Sequence, residues 1–240
     1  MAEWFDKYGL TEKQKREIPL FGIWDPDEAI NGAQIPEDVR ELHELMRDAE
    51  CLMVLNVLRR GMEPGNIVAD QFVVHWAVAE KFEKLFVEWF KMGFRLEAVV
   101  PAVICNYDDQ ELMAGNYSSG YRPEWGVGRR TVSEHTKAAA GDFNPVFNPD
   151  VKIKDGIPTY NPRGARHHPS LPGTLYEGSN AVTAIRDCGL AWGGGFGDPD
   201  APEYYSPGSV DAHFDYMHVE LLPVDSKALD KHLPPQLRGM

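Results

Sequence analysis

Two histidines and two aspartates stand at spacings that suit a metal site: Ser133-Glu134-His135, then Asp142 seven residues on, then Asp215-Tyr216-Met217-His218. A catalytic zinc ion usually has three protein ligands and one open position for water. His135, Asp142 and His218 meet that count, and Asp215 is left as a candidate base. The chain has no His-Glu-x-x-His, so the site would differ from the helix-borne class of zinc hydrolases. Two neutral imidazoles and one carboxylate leave zinc with net positive charge, which lowers the pKa of water at the ion towards ~7. A nearby carboxylate can then take the proton and pass it to a leaving group.

Strand parity assigns different tasks to Asp215 and His218. In Phe214–Leu222, Met217, Val219 and Leu221 share a parity and should face the core, while His218 and Glu220 face the other way. Asp215 has the wrong parity to sit beside His218 on one regular strand. It must come from a turn or bulge just before the strand, close to the metal without ligating it. Arg122, in Ser119-Gly120-Tyr121-Arg122-Pro123, is a candidate to stabilise an oxyanion, a role whose loss commonly costs on the order of 10² to 10³ in rate. Its alternative is a surface salt bridge. A His and an Asp seven apart arise by chance in a chain with eight histidines, so the conjunction carries the argument. The alternatives for the whole cluster are a structural zinc site or no metal.

The elements that must hold these residues are expected as follows. Residues 1–35 are rich in turns and charge. A helix follows Pro36, with Val39, Leu42, Leu45, Ala49 and Leu52 on one face and Gly61 closing it. A second runs from about Asp70 to Met92 with the stripe Val78, Phe82, Leu85, Phe86 and Trp89, ended by Gly93; His75 and Trp76 lie on it without a role. Val99–Ile104 reads as an edge or irregular strand because of Pro101. Residues 150–178 read as a long Pro/Gly/His-rich loop, a lid or wall. Ser179 caps a short helix through Arg186, with Gly189 as its stop. Phe214–Leu222 is the last strand, and 223–240 a polar, peripheral tail.

Bulk properties bound the function. A net charge of -13 argues against non-specific nucleic-acid binding. Arg122, Arg129, Arg130 and Lys137 form a local basic patch interrupted by Glu124 and Glu134, either a landing site for an anionic substrate or a solvated loop. Cys51, Cys105 and Cys188 have no metal-like spacing and read as buried free thiols. Asp198, Asp200 and Asp211 lack the ligand ladder of a calcium loop. No stretch is long and apolar enough for stable membrane insertion. Met-Ala-Glu-Trp-Phe-Asp at the start does not look like a signal peptide. The expectation is a monomer that stays cytoplasmic until released to its target, or is exported if a leader has been trimmed.

Five segments, taken in order, resemble one family: Ser-Gly-Tyr-Arg (119–122), Ser-x-His-x6-Asp (133–142), Asp-Phe-Asn-Pro-x-x-Asn-Pro (142–149), Trp-Gly-Gly (192–194) and Asp-x-x-His (215–218). This is the D-alanyl-D-alanine carboxypeptidase and L-alanyl-D-glutamate endopeptidase family of zinc peptidases, which includes vancomycin-resistance dipeptidases and phage endolysins. The Asn-Pro and Trp-Gly-Gly elements look most like the endolysin-type branch. The resemblance implies an α+β fold, with a small antiparallel sheet carrying the zinc site and helices flanking it. It implies His135, Asp142 and His218 as Zn2+ ligands, Asp215 as base, and Arg122 as oxyanion stabiliser. Ser133 and Tyr121 would touch substrate, the peptidoglycan stem peptide.

The similarity covers about residues 70–222 and divides the chain into an N-terminal extension of unassigned role (1–69), a peptidase domain (70–222) and a tail (223–240). Two positions depart from the family pattern. Ala138 stands where glycine is frequent, and Gly141 where a larger apolar residue is usual. The competing reading is an inactive, zinc-containing module that binds wall peptide on the same fold.

Overall fold

The computed structural model describes residues 3–18, 35–125, 131–195 and 212–240. A short helix, α1 (Glu12–Glu17), is closed by a capping box at Thr11 and Gln14. The helix expected after Pro36 forms as α2 (Glu37–Asp48) but stops well before Gly61. Residues beyond it form a strand, β1 (Leu52–Arg60), paired antiparallel along its whole length with β2 (Ile67–His75). The second expected helix therefore loses its first third: Asp70–His75 belong to β2, and α3 is Ala79–Met92. Both corrections have one cause. Leu52–Leu58 and Ile67–Val74 are short apolar runs rich in valine, whose period alone does not separate buried strand from helix. The stripe of Phe82, Leu85, Phe86 and Trp89 is buried as expected, and Gly93 ends α3 in the left-handed region at φ 86°. His75 terminates β2, and its Nδ1 accepts the Ala77 N–H (3.0 Å), so the ring caps the turn that leads into α3.

Beyond α3 the strand expected at Val99–Ile104 shrinks to β3 (Ala98–Val99), and Ala102–Cys105 is a 3-10 turn. Then come α4 (Asp109–Ala114) and β4 (Tyr117–Ser118), which pairs in parallel with β3. Next is β5 (Ala140–Asp142). The long loop expected at 150–178 begins instead as a hairpin, β6 (Asp150–Lys154) and β7 (Ile157–Asn161). Asp155 and Gly156 turn it with positive φ, the combination that favours tight hairpins. The helix capped by Ser179 is present as α5 (Asn180–Asp187), with Gly189 at φ 71° after it. The chain then makes β8 (Leu190–Trp192), β9 (Ala212–Asp215), β10 (His218–Leu221) and α6 (Pro223–Leu229).

This is an α+β arrangement with small sheets. One sheet has the order β5-β10-β8, and another β7-β6-β9. The Phe214–Leu222 strand is thus two strands in different sheets, with Tyr216 and Met217 as the turn between them. The main core packs α3 and α5 against β2 and the β5-β10-β8 sheet. At its centre Phe72 lies 5.1–5.7 Å, ring to ring, from Phe82, Phe86 and Phe143. The expected boundary at 69/70 falls inside β2. The 223–240 segment is not peripheral either: Leu229, Leu233 and Leu237 are buried, the last two in a cluster with Val132 and Ala138. Cys51, Cys105 and Cys188 are buried free thiols.

Of the two positions noted above, Gly141 has a local reason and Ala138 does not. Ala138 sits at φ 55°, a conformation in which glycine avoids strain. At Gly141 a Cβ would stand 2.6 Å from Phe72 Cζ and 3.2 Å from Phe143 Cζ, so the Phe72 ring fills the space a side chain would need. Gly141→Ala should therefore destabilise by roughly 1–3 kcal/mol through overpacking. The Gly141→Ala/Phe72→Leu double variant should lose less than the sum of the single losses, as urea denaturation would measure. Strict additivity would mean that the ring is not what excludes the side chain.

Candidate metal centre

Three separate pieces of chain deliver the cluster. Asp142 ends β5, in register with His218 at the start of β10. The opposite edge of β5 is held by a two-way bridge, with Ser119 N and Asp142 N each donating to the other's carbonyl. His135 comes from a turn over 134–138. That turn is fixed by Ala139 N to Glu134 O and by His75 N to Ala138 O, the latter tying it to β2. Ser133 opens the turn, and its Oγ accepts the Thr136 N–H (3.2 Å). The C-terminal segment braces the turn from outside. Ser226 Oγ donates to Glu134 Oε2 (2.8 Å), and Lys137 Nζ lies 3.0 Å from Glu134 and 3.8 Å from Asp230.

The donor atoms converge. His135 Nε2 lies 3.2 Å from Asp142 Oδ2, His218 Nδ1 lies 3.2 Å from Asp142 Oδ1, and the two ring nitrogens are 3.2 Å apart. The outer nitrogens decide the tautomers. His135 Nδ1 must donate to the Gly120 carbonyl (2.9 Å), since a carbonyl can only accept. His218 Nε2 donates to the Glu220 carboxylate (3.1 Å). In neutral rings both inner nitrogens then present lone pairs to each other and to a carboxylate, a set of acceptors with no donor among them. Such a set calls for a cation at its centre. A metal-binding His typically donates its other N–H to a carboxylate or carbonyl in this way. The buried His135–Asp142–His218 group could hold a metal ion.

The electrostatics agree. Burial alone would raise the Asp142 carboxyl, but His135, His218 and Arg122 outweigh it and hold that carboxyl well below the usual carboxylate range. Burial opposes a charge on His218, yet Asp142 and Glu220 draw its pKa well above that of a free imidazole. Both shifts favour positive charge between the rings, supplied by a proton on His218 when no metal is bound.

Asp215 faces the same cavity, of about 410 Å³. It ends β9 opposite Asp150 of β6, and its Oδ1 is buried with no hydrogen-bond partner among the described residues. Burial pushes its carboxyl up to about 6, against the pull of His218 and with help from Asp142 and Asp150. Arg122 lines the cavity too, but three carboxylates clamp it: Asp109 (2.8 Å), Asp142 (3.3 Å) and Glu124 (3.3 Å). Burial would weaken its charge, and Asp142, Glu124 and Asp109 more than restore it. Arg122 and Lys137 of the expected basic patch are thus buried in ion pairs; Arg129 and Arg130 lie outside the described residues, as do Asp198, Asp200 and Asp211.

Ser133 lines the cavity, whereas Tyr121 does not. Its ring is buried beside His43 and Tyr107, 5.8 and 6.1 Å away, on the other side of its backbone. The reason is parity: in Tyr121-Arg122 consecutive side chains point apart, and Arg122 takes the cavity side. Sequence reasoning assigned nothing to Glu220, although its position two residues after His218 on a strand placed both on one face. It also passed over Asp109, Glu124 and Asp150, which reach the cavity only through the tertiary fold. No protein-family model matches this chain, and no curated protein or solved structure does either. The site is therefore read from its own chemistry.

Two outcomes follow from this geometry. Equilibrium dialysis with elemental analysis should find one divalent transition-metal ion per chain. His135→Ala or His218→Ala should abolish binding, and Glu220→Gln should weaken it about 10- to 100-fold. The second outcome concerns stability. In the metal-free protein the folded Asp215 pKa lies above its unfolded value, so the unfolded chain releases that proton first as pH rises. The penalty is absent below about pH 4, grows between about pH 4 and 6, and is complete above, reaching on the order of 2–3 kcal/mol. Asp215→Asn should raise the metal-free melting temperature at pH 7.5 and leave it nearly unchanged at pH 4, as calorimetry would show.

Proposed function

We propose that this chain is a zinc-dependent peptidase that hydrolyses a peptide bond of the peptidoglycan stem. The observation that carries the reading is a carboxylate, Asp215, whose buried Oδ1 has no hydrogen-bond partner among the described residues, in the same cavity as the converging donor atoms of His135, Asp142 and His218. A purely structural metal site has no need of such a group. The choice of zinc rests on ligand chemistry and spacing. Imidazole and carboxylate suit it, and a tetrahedral ion with bonds of ~2.0–2.1 Å places its donors roughly 3.3 Å apart. The three donor pairs here are at 3.2 Å. The substrate class follows from the motif order, which resembles the carboxypeptidase and endopeptidase family of wall-cleaving enzymes.

When bound, zinc supplies a Lewis acid that polarises a carbonyl and makes water nucleophilic near neutral pH. The remaining work falls to side chains. Gly120 and Glu220 hold the two imidazoles in the ligating tautomer. Asp215, raised towards neutrality by burial, takes the proton of the attacking water and returns it to the departing amine. Arg122, fixed by Asp109 and Glu124, presents a rigid guanidinium at the cavity wall for the developing oxyanion. Its compensation by three carboxylates is also the one observation that favours the second reading, an inactive module that holds zinc and binds wall peptide.

Mass spectrometry of fragments released from defined peptidoglycan tests both. New amino termini should appear with the wild type, vanish with EDTA and return with zinc. Asp215→Ala should bind zinc normally and lose roughly 10²- to 10⁴-fold in rate. Normal zinc binding with no fragment released by the wild type would favour the binding module.

A further inference from the structure

The chain crosses from one sheet to another between the candidate base and a metal ligand. Asp215 is the last residue of β9, which pairs with β6, and His218 is the first of β10, which pairs with β5 and β8. Only Tyr216 and Met217 lie between. The distance from Asp215 to the cluster therefore depends on how this two-residue turn is held. Its backbone is pinned at three points. Tyr216 N donates to Pro149 O (3.2 Å), Phe143 N donates to Met217 O (3.0 Å), and the Trp192 indole N–H donates to Tyr216 O (2.9 Å). The last is a bond from a side chain, and it runs from β8 of the ligand-bearing sheet to the carbonyl just after Asp215.

The indole is buried and fits its place because of a glycine. A Cβ at Gly194 would stand 2.2 Å from Trp192 Cζ2 and 2.5 Å from Cη2. A buried indole N–H requires some acceptor; here it takes the Tyr216 carbonyl, one of the three points that hold the junction. The Tyr216 ring adds a second hold, stacked at 3.8 Å on His167.

We propose that Trp192 is a positioning residue, which through the Tyr216 carbonyl fixes both ends of this turn, the ligand His218 and the base Asp215, relative to His135 and Asp142, and that Gly194 is required for its pose. The proposal rests on the peptidase reading for its catalytic consequence, but not for its effect on the metal site.

The test compares Trp192→Phe, which keeps a ring and removes the donor, with Gly194→Ala, which keeps the donor and displaces the ring. Both are measured well below their own melting temperatures, for zinc affinity by competition with a chromophoric chelator and for peptidase kinetics. Each should bind one zinc ion with about 10-fold weaker affinity. Each should also lose roughly 10- to 100-fold in kcat with KM little changed, since small misplacement of a catalytic group has that effect. Lower melting temperatures with zinc affinity and kcat unchanged would reduce Trp192 to core packing and overturn the proposal. If Trp192→Phe does not fold, Gly194→Ala decides alone. If the wild type binds zinc but cleaves nothing, the peptidase reading fails, and the zinc affinities by themselves decide the positioning claim.

Discussion

A carboxylate buried among two imidazoles and a guanidinium is the constraint around which this structure is organised. Asp142 is 6 % exposed, and an ionised group so placed is tolerated only where charge and hydrogen bonds compensate it. His135, His218 and Arg122 all approach it within 3.3 Å. Each arrives on a different segment, so the compensation joins the turn at 134–138, the start of β10 and the stretch after β4. The backbone of Asp142 repeats the arrangement, bridging Ser119 on one side and pairing with His218 on the other. A strand of only three residues has little stability of its own. It is held because its side-chain charge and both its edges are satisfied at once.

The apolar core supports this node from beneath. Phe143, the next residue, is fully buried against Phe72, Phe86 and Trp89, and the space vacated at Gly141 is filled by Phe72. Consecutive residues therefore point in opposite directions, one into the charge cluster and one into the aromatic core. A slip of one residue in β5 would exchange them, burying Asp142 in hydrocarbon and exposing Phe143. The His135–Asp142–His218 cluster and the core thus fix the same register.

The cluster itself was legible in the sequence because its chemistry is concentrated in residue type and parity. Met217, Val219 and Leu221 facing inward placed His218 and Glu220 together and set Asp215 apart, and the structure does the same by breaking the strand at Tyr216. The supports were less legible. Leu52–Arg60 and Ile67–His75 carry valine-rich runs that fit helix or buried strand equally, and only their mutual pairing decides between them. Asp150 stands opposite Asp215 solely because of the β6–β9 register, which no local pattern encodes. Tyr121 was misplaced because adjacency to Arg122 in sequence means opposite faces in extended chain.

Two segments that look like chemistry turn out to be architecture. Asn144 and Asn148 are fully buried, and both side-chain amides donate to the Gly173 carbonyl; their oxygens accept the Glu97 and Leu175 N–H groups. They stitch the irregular chain after the β6–β7 hairpin onto the core, the task of a short amide whose donors and acceptor reach backbone on two sides. The neighbouring prolines contribute no N–H that would need a partner. Trp192 and Gly194 act similarly on the turn between the two sheets. The groups that could do chemistry are small and few, whereas holding them 3.2 Å apart from three pieces of chain requires amides, glycines and rings elsewhere. Asp215 marks where that rigidity is directed. A flexible chain would relax by giving its buried carboxylate oxygen a partner. Here the two-sheet junction holds that oxygen without a partner among the described residues, at a cost in stability.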